Sequence, residues 1–218
     1  MSNTLNLLKL EFGSIYGYSP RGNSDTEQIS RNLMMSLKGD SFVSNPPILT
    51  SQYISNALHE DMKKLPFADF FKADPILVPV PNSSLMLPGT LWVSERLAKA
   101  MHENGLGTDV IPCLSRKFPL RKSATSLASN RPKAEEHFES LEVQKILSDP
   151  HEILLVDDII TRGATILGAA NRLKKVYPDV RIRAFAAVRT ISSPPFNHIY
   201  DPCRGTITLS DQDTFRLP

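Results

Sequence analysis

Residues 153–165 hold, in thirteen consecutive positions, residue types that together could bind a phosphorylated sugar. Four apolar residues come first and are followed by two adjacent carboxylates, Asp157 and Asp158. A tight turn that contains Gly163, flanked by Thr161 and Thr165, follows, and an apolar pattern with helical spacing begins at once. The sequence therefore predicts a buried strand, two acids, a tight turn and a helix, in that order.

The predicted turn and the start of the helix are suited to hold a phosphate group. The first backbone N–H groups of a helix have no partner within it, and they lie at the positive end of the helix dipole. Gly163 can adopt a positive φ and lets the backbone approach a phosphate closely. Threonine hydroxyls on either side add donors. The predicted binding residues of this turn are Ile160, Thr161, Arg162, Gly163, Ala164 and Thr165.

The two carboxylates lie just before this turn, which suits a ribose whose 5′-phosphate the turn would hold. Asp157 and Asp158 would accept hydrogen bonds from the 2′- and 3′-hydroxyls. Neither the G-x-x-x-x-G-K-[ST] loop nor the G-x-G-x-x-G fingerprint occurs in the sequence. An ordinary strand–turn–helix would explain one acid as a helix cap, but not two acids, two threonines and a glycine. We therefore predict a phosphoribosyl ligand here.

The same thirteen residues resemble the loop that binds 5-phosphoribosyl-1-pyrophosphate (PRPP) in type I phosphoribosyltransferases: an apolar strand, two acids, then Thr-x-Gly-Ala-Thr. The resemblance implies displacement at the ribose C1 of PRPP by a small nitrogenous base, with release of pyrophosphate. It also implies Mg²⁺, bound mainly through PRPP. Asp157 and Asp158 would then be catalytic as well as PRPP-binding.

A second predicted binding segment, Pro81, Asn82 and Ser83, follows a short apolar run at residues 76–80. The resemblance to type I phosphoribosyltransferases implies that this segment is the pyrophosphate loop, whose backbone N–H groups and hydroxyls hold the leaving group. Taken alone, Pro-Asn-Ser-Ser is a turn. The family's loop often carries a basic residue, and none occurs between Asp74 and Arg96.

A basic run without acids occupies residues 114–133. Such a run is usually a solvated face, but the resemblance implies a mobile lid over the active site. Arg116 and Lys117 would then be catalytic, because their charge would stabilise the negative charge that develops on pyrophosphate. The other basic residues of the run are Arg121, Lys122, Arg131 and Lys133.

Short stretches elsewhere resemble the ComF-like branch of that family: residues 36–40, residues 114–116, residues 122–125, Arg131-Pro132 and His137-Phe138. The sequence lacks the N-terminal zinc ribbon that is common in this branch. Three functions stay open. They are a transferase, a regulator that senses PRPP or a nucleotide without turnover, and a competence-type accessory protein that handles nucleic acid.

Strand and helix patterns alternate from residue 74 onward, which predicts a parallel α/β sheet of the type I phosphoribosyltransferase kind. The predicted strands are residues 76–80, 108–113, 153–156 and 180–188, and the predicted helices are residues 89–104 and 165–176. Two amphipathic helices, at 26–37 and from 50 or 51 to 65, predict a helical hood over residues 1–75. Residues 76–218 would form the core with a C-terminal extension. Residues 190–218 carry no motif that identifies the acceptor base.

The composition fits an ordinary globular protein, with 218 residues, 41% hydrophobic and 22% charged. A net charge of +2 gives no general support for nucleic acid as a partner. Neither a signal-peptide pattern nor an apolar run of membrane-spanning length occurs, which predicts a cytoplasmic protein with no membrane partner. A homodimer stays open. Cys113 and Cys203 form no metal motif, and the histidines (His59, His102, His137, His151 and His198) have no metal-ligand spacing.

Overall fold

The structure, a computed structural model, describes residues 5–121, 131–144, 150–192, 196–210 and 213–218. The helices of these ranges are α1 (Asp25–Gly39), α2 (Thr50–Asp61), α3 (Val93–Glu103), α4 (Ala134–Ser140) and α5 (Ala164–Val176), with 3-10 turns at Met62–Lys64 and Ala68–Phe70. The strands are β1 (Lys9–Tyr18), β2 (Phe42–Val43), β3 (Ile48–Leu49), β4 (Ile76–Pro79), β5 (Asp109–Val110), β6 (Leu114–Arg116), β7 (Leu141–Val143), β8 (Glu152–Ile160), β9 (Arg181–Thr190), β10 (Tyr200–Ser210) and β11 (Asp213–Leu217).

The main sheet has seven strands in the order β11-β10-β1-β9-β8-β4-β5. Five neighbouring strands are mutually parallel, namely β1, β9, β8, β4 and β5. Beyond β1 the sheet continues with β10, which is antiparallel to β1, and β11, which is antiparallel to β10. Strands β2 and β3 form one small sheet, and β6 and β7 form another. The predicted α/β class with a mostly parallel sheet is therefore confirmed.

Residues 153–156 of β8 form a continuous apolar run because helices cover both faces of the strand. Leu154 and Val156 pack in one buried cluster with residues of α1, α2 and α3. Ile153 and Leu155 pack in the other, with residues of α4 and α5. Parallel strands align their carboxyl ends, so β1, β4, β8 and β9 all end at one side of the sheet, which we call the carboxyl edge.

Strand β1 lies inside the main sheet, between β10 and β9, although residues 1–75 were predicted to form a helical hood. Two glycines, Gly13 and Gly17, interrupt its apolar pattern. Glycine inside a strand often marks a close approach of another group, and a Cβ on Gly13 would lie 2.5 Å from Cγ of Phe67. Helices α1 and α2 do form near their predicted positions, and they share a buried cluster with β9 of the sheet.

Two further stretches differ from the predicted elements. Of the strand predicted at residues 108–113, only Asp109–Val110 pairs in the main sheet; Leu114–Arg116, just after the predicted strand, pairs with β7 in a separate small sheet. Residues 190–218, for which no structure was predicted, contain the antiparallel hairpin of β10 and β11. None of the helices in the described ranges is long and apolar enough to cross a membrane.

The central position of β1 predicts a cost for any side chain at Gly13. In Gly13→Ala the new methyl group would overlap the buried Phe67 ring, so we expect the free energy of unfolding to fall by about 1–3 kcal/mol. Denaturant unfolding measures the change. Gly39→Ala is the matched control, because its Cβ would meet only the Oγ of Ser41. Equal stability of the two variants would contradict the packing of β1 on Phe67.

Candidate functional site

The predicted strand, turn and helix are all present at residues 152–176. Strand β8 ends at Ile160, and Gly163 is the N-cap of α5 with a left-handed backbone, φ 89°. A Cβ on Gly163 would lie 2.7 Å from Cγ1 of Ile207 in β10. Glycine is therefore required twice here, for the backbone conformation and for the contact with β10.

The side chains of the turn have different partners. Thr161 Oγ1 lies 3.1 Å from Thr190 Oγ1 at the end of β9. Thr165 Oγ1, in the first turn of α5, lies 3.2 Å from His137 Nε2 in α4. The Arg162 guanidinium pairs with Asp213 of β11 at 2.5 Å, so its charge is already compensated. The two hydroxyls and the free N–H groups of the helix start remain suited to an anion.

The two acids lie at the end of β8 and contact different helices. Asp157 Oδ1 accepts a hydrogen bond from Ser94 Oγ of α3 at 3.1 Å. Asp158 forms an ion pair with Lys38, in the last turn of α1. Burial, and next the negative charge of Asp158, raise the pKa of Asp157 above its usual value. The site is therefore short of positive charge for two carboxylates, and a cation bound there would relieve this.

Lys38 is a site residue that the sequence analysis did not select. Its ammonium group reaches the acid pair from the hood, and just over half of its side chain is exposed. The only available signal was its place in the stretch that resembles the ComF-like branch, residues 36–40. Helix spacing alone could not show that the end of α1 lies beside the end of β8.

Pro81, Asn82 and Ser83 follow β4 and lie at the carboxyl edge beside β8. Val80 N–H donates to Val156 O at 2.9 Å, which continues the pairing of the two strands up to this turn. The Asn82 side-chain amide donates to Leu91 O at 3.1 Å, which holds the turn against the segment before α3. The turn and the acid pair therefore end adjacent strands.

Arg116 is buried, and this corrects its predicted position on a mobile lid. Its side chain donates through Nε to Asn82 O at 2.9 Å and through the terminal nitrogens to Ser140 Oγ and to His137 Nδ1. These three hydrogen bonds hold the guanidinium in a buried position, whereas a basic residue on an open lid would be exposed. Burial lowers its pKa to about 10, partly opposed by the charge of Asp157.

The other basic residues of the run are arranged differently. Lys117 is exposed, its ammonium lies 5.9 Å from the centre of the Phe118 ring, and its N–H donates to Ser140 O at 2.8 Å. Leu120 N–H donates to Ser83 O at 2.8 Å. The start of the run is thus fixed against the turn at residues 81–83. Lys122 and the rest of residues 122–130 lie outside the described residues.

His137 is a buried histidine of the site for which the sequence predicted no role, although His137-Phe138 is one of the stretches that resemble the ComF-like branch. Burial, and next the charges of Arg116 and Arg162, lower its pKa to about 3. The imidazole is therefore neutral over the ordinary pH range.

Comparison with known proteins adds no assignment: a scan against protein-family models and a search of curated proteins found no match. Among the residues that the structure describes, no group of three His, Cys, Asp or Glu could hold a metal ion. What the fold and the site define is an α/β protein with a mostly parallel sheet. Its carboxyl edge joins an acid pair to a glycine turn at a helix start.

The burial of His137 predicts a specific pH dependence of stability. Its pKa is 6.5 in the unfolded chain and about 3 in the folded protein. Between these values the unfolded state binds more protons, so stability falls as the pH falls from about 6.5. His137→Gln removes this contribution. We expect the difference in free energy of unfolding, wild type minus variant, to be constant above pH 7 or so and to decrease below about 6.5. Denaturant unfolding at a series of pH values measures it, and parallel curves would refute the burial of a neutral imidazole.

Proposed function

We propose that this chain is a type I phosphoribosyltransferase of the ComF-like branch that transfers the 5-phosphoribosyl group of PRPP to a nitrogenous base and releases pyrophosphate. The observation that carries the proposal is the shared position of three features at the carboxyl edge. They are the acid pair, the glycine turn at the start of α5 and the turn at residues 81–83. Ligands of parallel α/β sheets bind at this edge.

The proposed roles follow the chemistry of each group. The 5′-phosphate would accept from the N–H groups at the start of α5 and from the Thr161 and Thr165 hydroxyls. Asp157 and Asp158 would accept from the ribose hydroxyls, with Ser94 orienting the first. The backbone of Asn82 and Ser83 would face the pyrophosphate. Such a site acts mainly by holding C1 in line with the leaving group and the base, and by excluding water.

Mg²⁺ fits the donor set that these residues supply. Magnesium is usually held by one or two carboxylates together with substrate phosphates, rather than by a cage of protein ligands. Asp157 and Asp158 are the carboxylates available, and burial, and next the negative charge of Asp158, raise the pKa of Asp157, which a bound cation would oppose. When bound with PRPP, the ion would supply positive charge to the pyrophosphate.

A sensor that binds PRPP without turnover is the second candidate, and the burial of Arg116 favours it. The resemblance implies that Arg116 stabilises the charge that grows on pyrophosphate, but its side chain is buried and donates to Asn82 O, Ser140 Oγ and His137 Nδ1. Lys38 and Lys117 would then have to supply that charge. A sensor needs no such group.

The ribose assignment predicts that the double variant Asp157→Asn with Asp158→Asn binds PRPP with at least about tenfold lower affinity. A neutral amide is a weaker acceptor, and a hydrogen bond to a charged group contributes about 1.5–3 kcal/mol. Calorimetric titration with PRPP and Mg²⁺ measures the affinity. Asp179→Asn is the matched control, because Asp179 is exposed and lies before β9, at the opposite edge of the sheet. An unchanged affinity in the double variant would remove the ribose from this pair.

A substitution of Lys38 distinguishes the two candidates. In a transferase, Lys38→Met should lower the rate of pyrophosphate release more than the affinity for PRPP, because the charge that it meets grows only as the bond breaks. Lys99→Met, on the exposed face of α3, is the control. The assay measures pyrophosphate release with a panel of bases. If no base in the panel causes release of pyrophosphate, although PRPP binds tightly, the protein is the sensor.

A further inference from the structure

Three side chains from separate elements form a hydrogen-bonded chain beside the start of α5. Arg116 Nη2, at the end of β6, lies 3.1 Å from His137 Nδ1 in α4. His137 Nε2 lies 3.2 Å from Thr165 Oγ1 in α5. The chain therefore ends on a hydroxyl of the proposed phosphate turn.

The donor and acceptor chemistry of these groups fixes where the protons lie. A guanidinium group only donates, so His137 Nδ1 must be the acceptor. The imidazole is neutral and has one N–H, which must then be on Nε2. Nε2–H donates to Thr165 Oγ1. The hydroxyl of Thr165 thus receives one hydrogen bond and keeps its own proton to donate elsewhere.

The position of the imidazole is constrained by the packing of α4 on α5. A Cβ on Gly168 of α5 would lie 2.6 Å from Cβ of His137. The two helices therefore approach closely at this histidine, and its ring has little room to turn. Arg116, which donates to the other nitrogen of the His137 ring, is held in place by Asn82 O and Ser140 Oγ as well.

We propose that His137 is a positioning residue for phosphate binding: Arg116 fixes its tautomer, and its Nε2–H orients the Thr165 hydroxyl to donate to the 5′-phosphate of the ligand. The inference rests on the proposed phosphoribosyl ligand. Because Arg116 also donates to Asn82 O, one guanidinium connects the two segments that are proposed to hold the two ends of PRPP. No covalent step is involved.

The tautomer can be measured on the wild-type protein without any ligand. Long-range ¹H–¹⁵N correlation spectra of protein labelled at histidine should show His137 as a neutral ring with its proton on Nε2 at neutral pH. A proton on Nδ1, or an imidazolium, would overturn the inference. This measurement does not depend on the folding of any variant.

Two substitutions of His137 separate its two hydrogen bonds. In His137→Gln the amide nitrogen takes the place of Nε2 and can still donate to Thr165. In His137→Asn the shorter side chain does not reach Thr165, and its oxygen accepts from Arg116. With ribose 5-phosphate as the probe, we expect the Gln variant to bind nearly as the wild type does. The Asn variant should bind about tenfold more weakly or worse, as expected for one hydrogen bond to a charged group. Equal affinities of the two variants would overturn the proposal.

A double variant tests whether His137 acts through Thr165. Thr165→Val removes the hydroxyl, so adding His137→Asn to it should cause no further loss of ribose 5-phosphate affinity. Additive losses would mean that His137 acts by another route, and the proposal would be wrong. Thermal unfolding of each variant shows whether a loss of binding follows from a loss of stability. A histidine with a purely structural role would weaken binding equally in the wild type and in the Thr165→Val variant.

Failure of the inference and failure of the proposed function give different results. If wild type binds ribose 5-phosphate and His137→Asn binds it equally well, only the role of His137 is overturned. If wild type has the expected tautomer but binds no ribose 5-phosphate, the proposed function is overturned together with this role.

Discussion

The hydrogen bonds of the buried Arg116 guanidinium are the interactions on which the arrangement of the site depends. A buried charge is tolerated only when its donors find acceptors, and removing a partner of a buried charge costs about 3–5 kcal/mol. The acceptors of Arg116 come from the turn after β4, through Asn82, and from α4, through His137 and Ser140. Burying this one side chain therefore fixes two distant segments relative to each other, and α5 is positioned next through Thr165.

The charges around the glycine turn are largely balanced within the protein. Arg162 pairs with Asp213, and Arg189 pairs with Asp201, so two cations that could have attracted a phosphate are paired with acids of the C-terminal hairpin or its approach. Binding of the proposed phosphate at the turn would then depend on the N–H groups of the helix start and the threonine hydroxyls, which carry no net charge, and on Arg216, whose guanidinium donates to Thr161 O and Thr190 O. The orientation of a single hydroxyl, such as that of Thr165, would then matter more for the proposed ligand than it would if Arg162 and Arg189 were unpaired.

What the sequence could predict was set by how local each feature is. The strand, acids and turn of residues 153–165 are contiguous, so their order could be read directly, and the helical spacing of α1 and α2 is local too. Strand β1 was missed because its glycines break the apolar alternation and because its place depends on β9 and β10, far away in sequence. Arg116 was read as an exposed charge, since its acceptors lie on other elements. Lys38 and His137 were missed for the same reason.

The C-terminal hairpin carries no recognisable motif, yet it contacts the glycine turn at several points. Ile207 packs where a Cβ of Gly163 would lie, Asp213 pairs with Arg162, and Arg216 Nε donates to Thr161 O at 2.7 Å. A turn that is to place several N–H groups around the proposed phosphate would need such external support, because the first N–H groups of a helix have no partner within it. The hairpin is therefore part of the site as much as the motif is, and a change in the position of β10 would alter the shape of the turn.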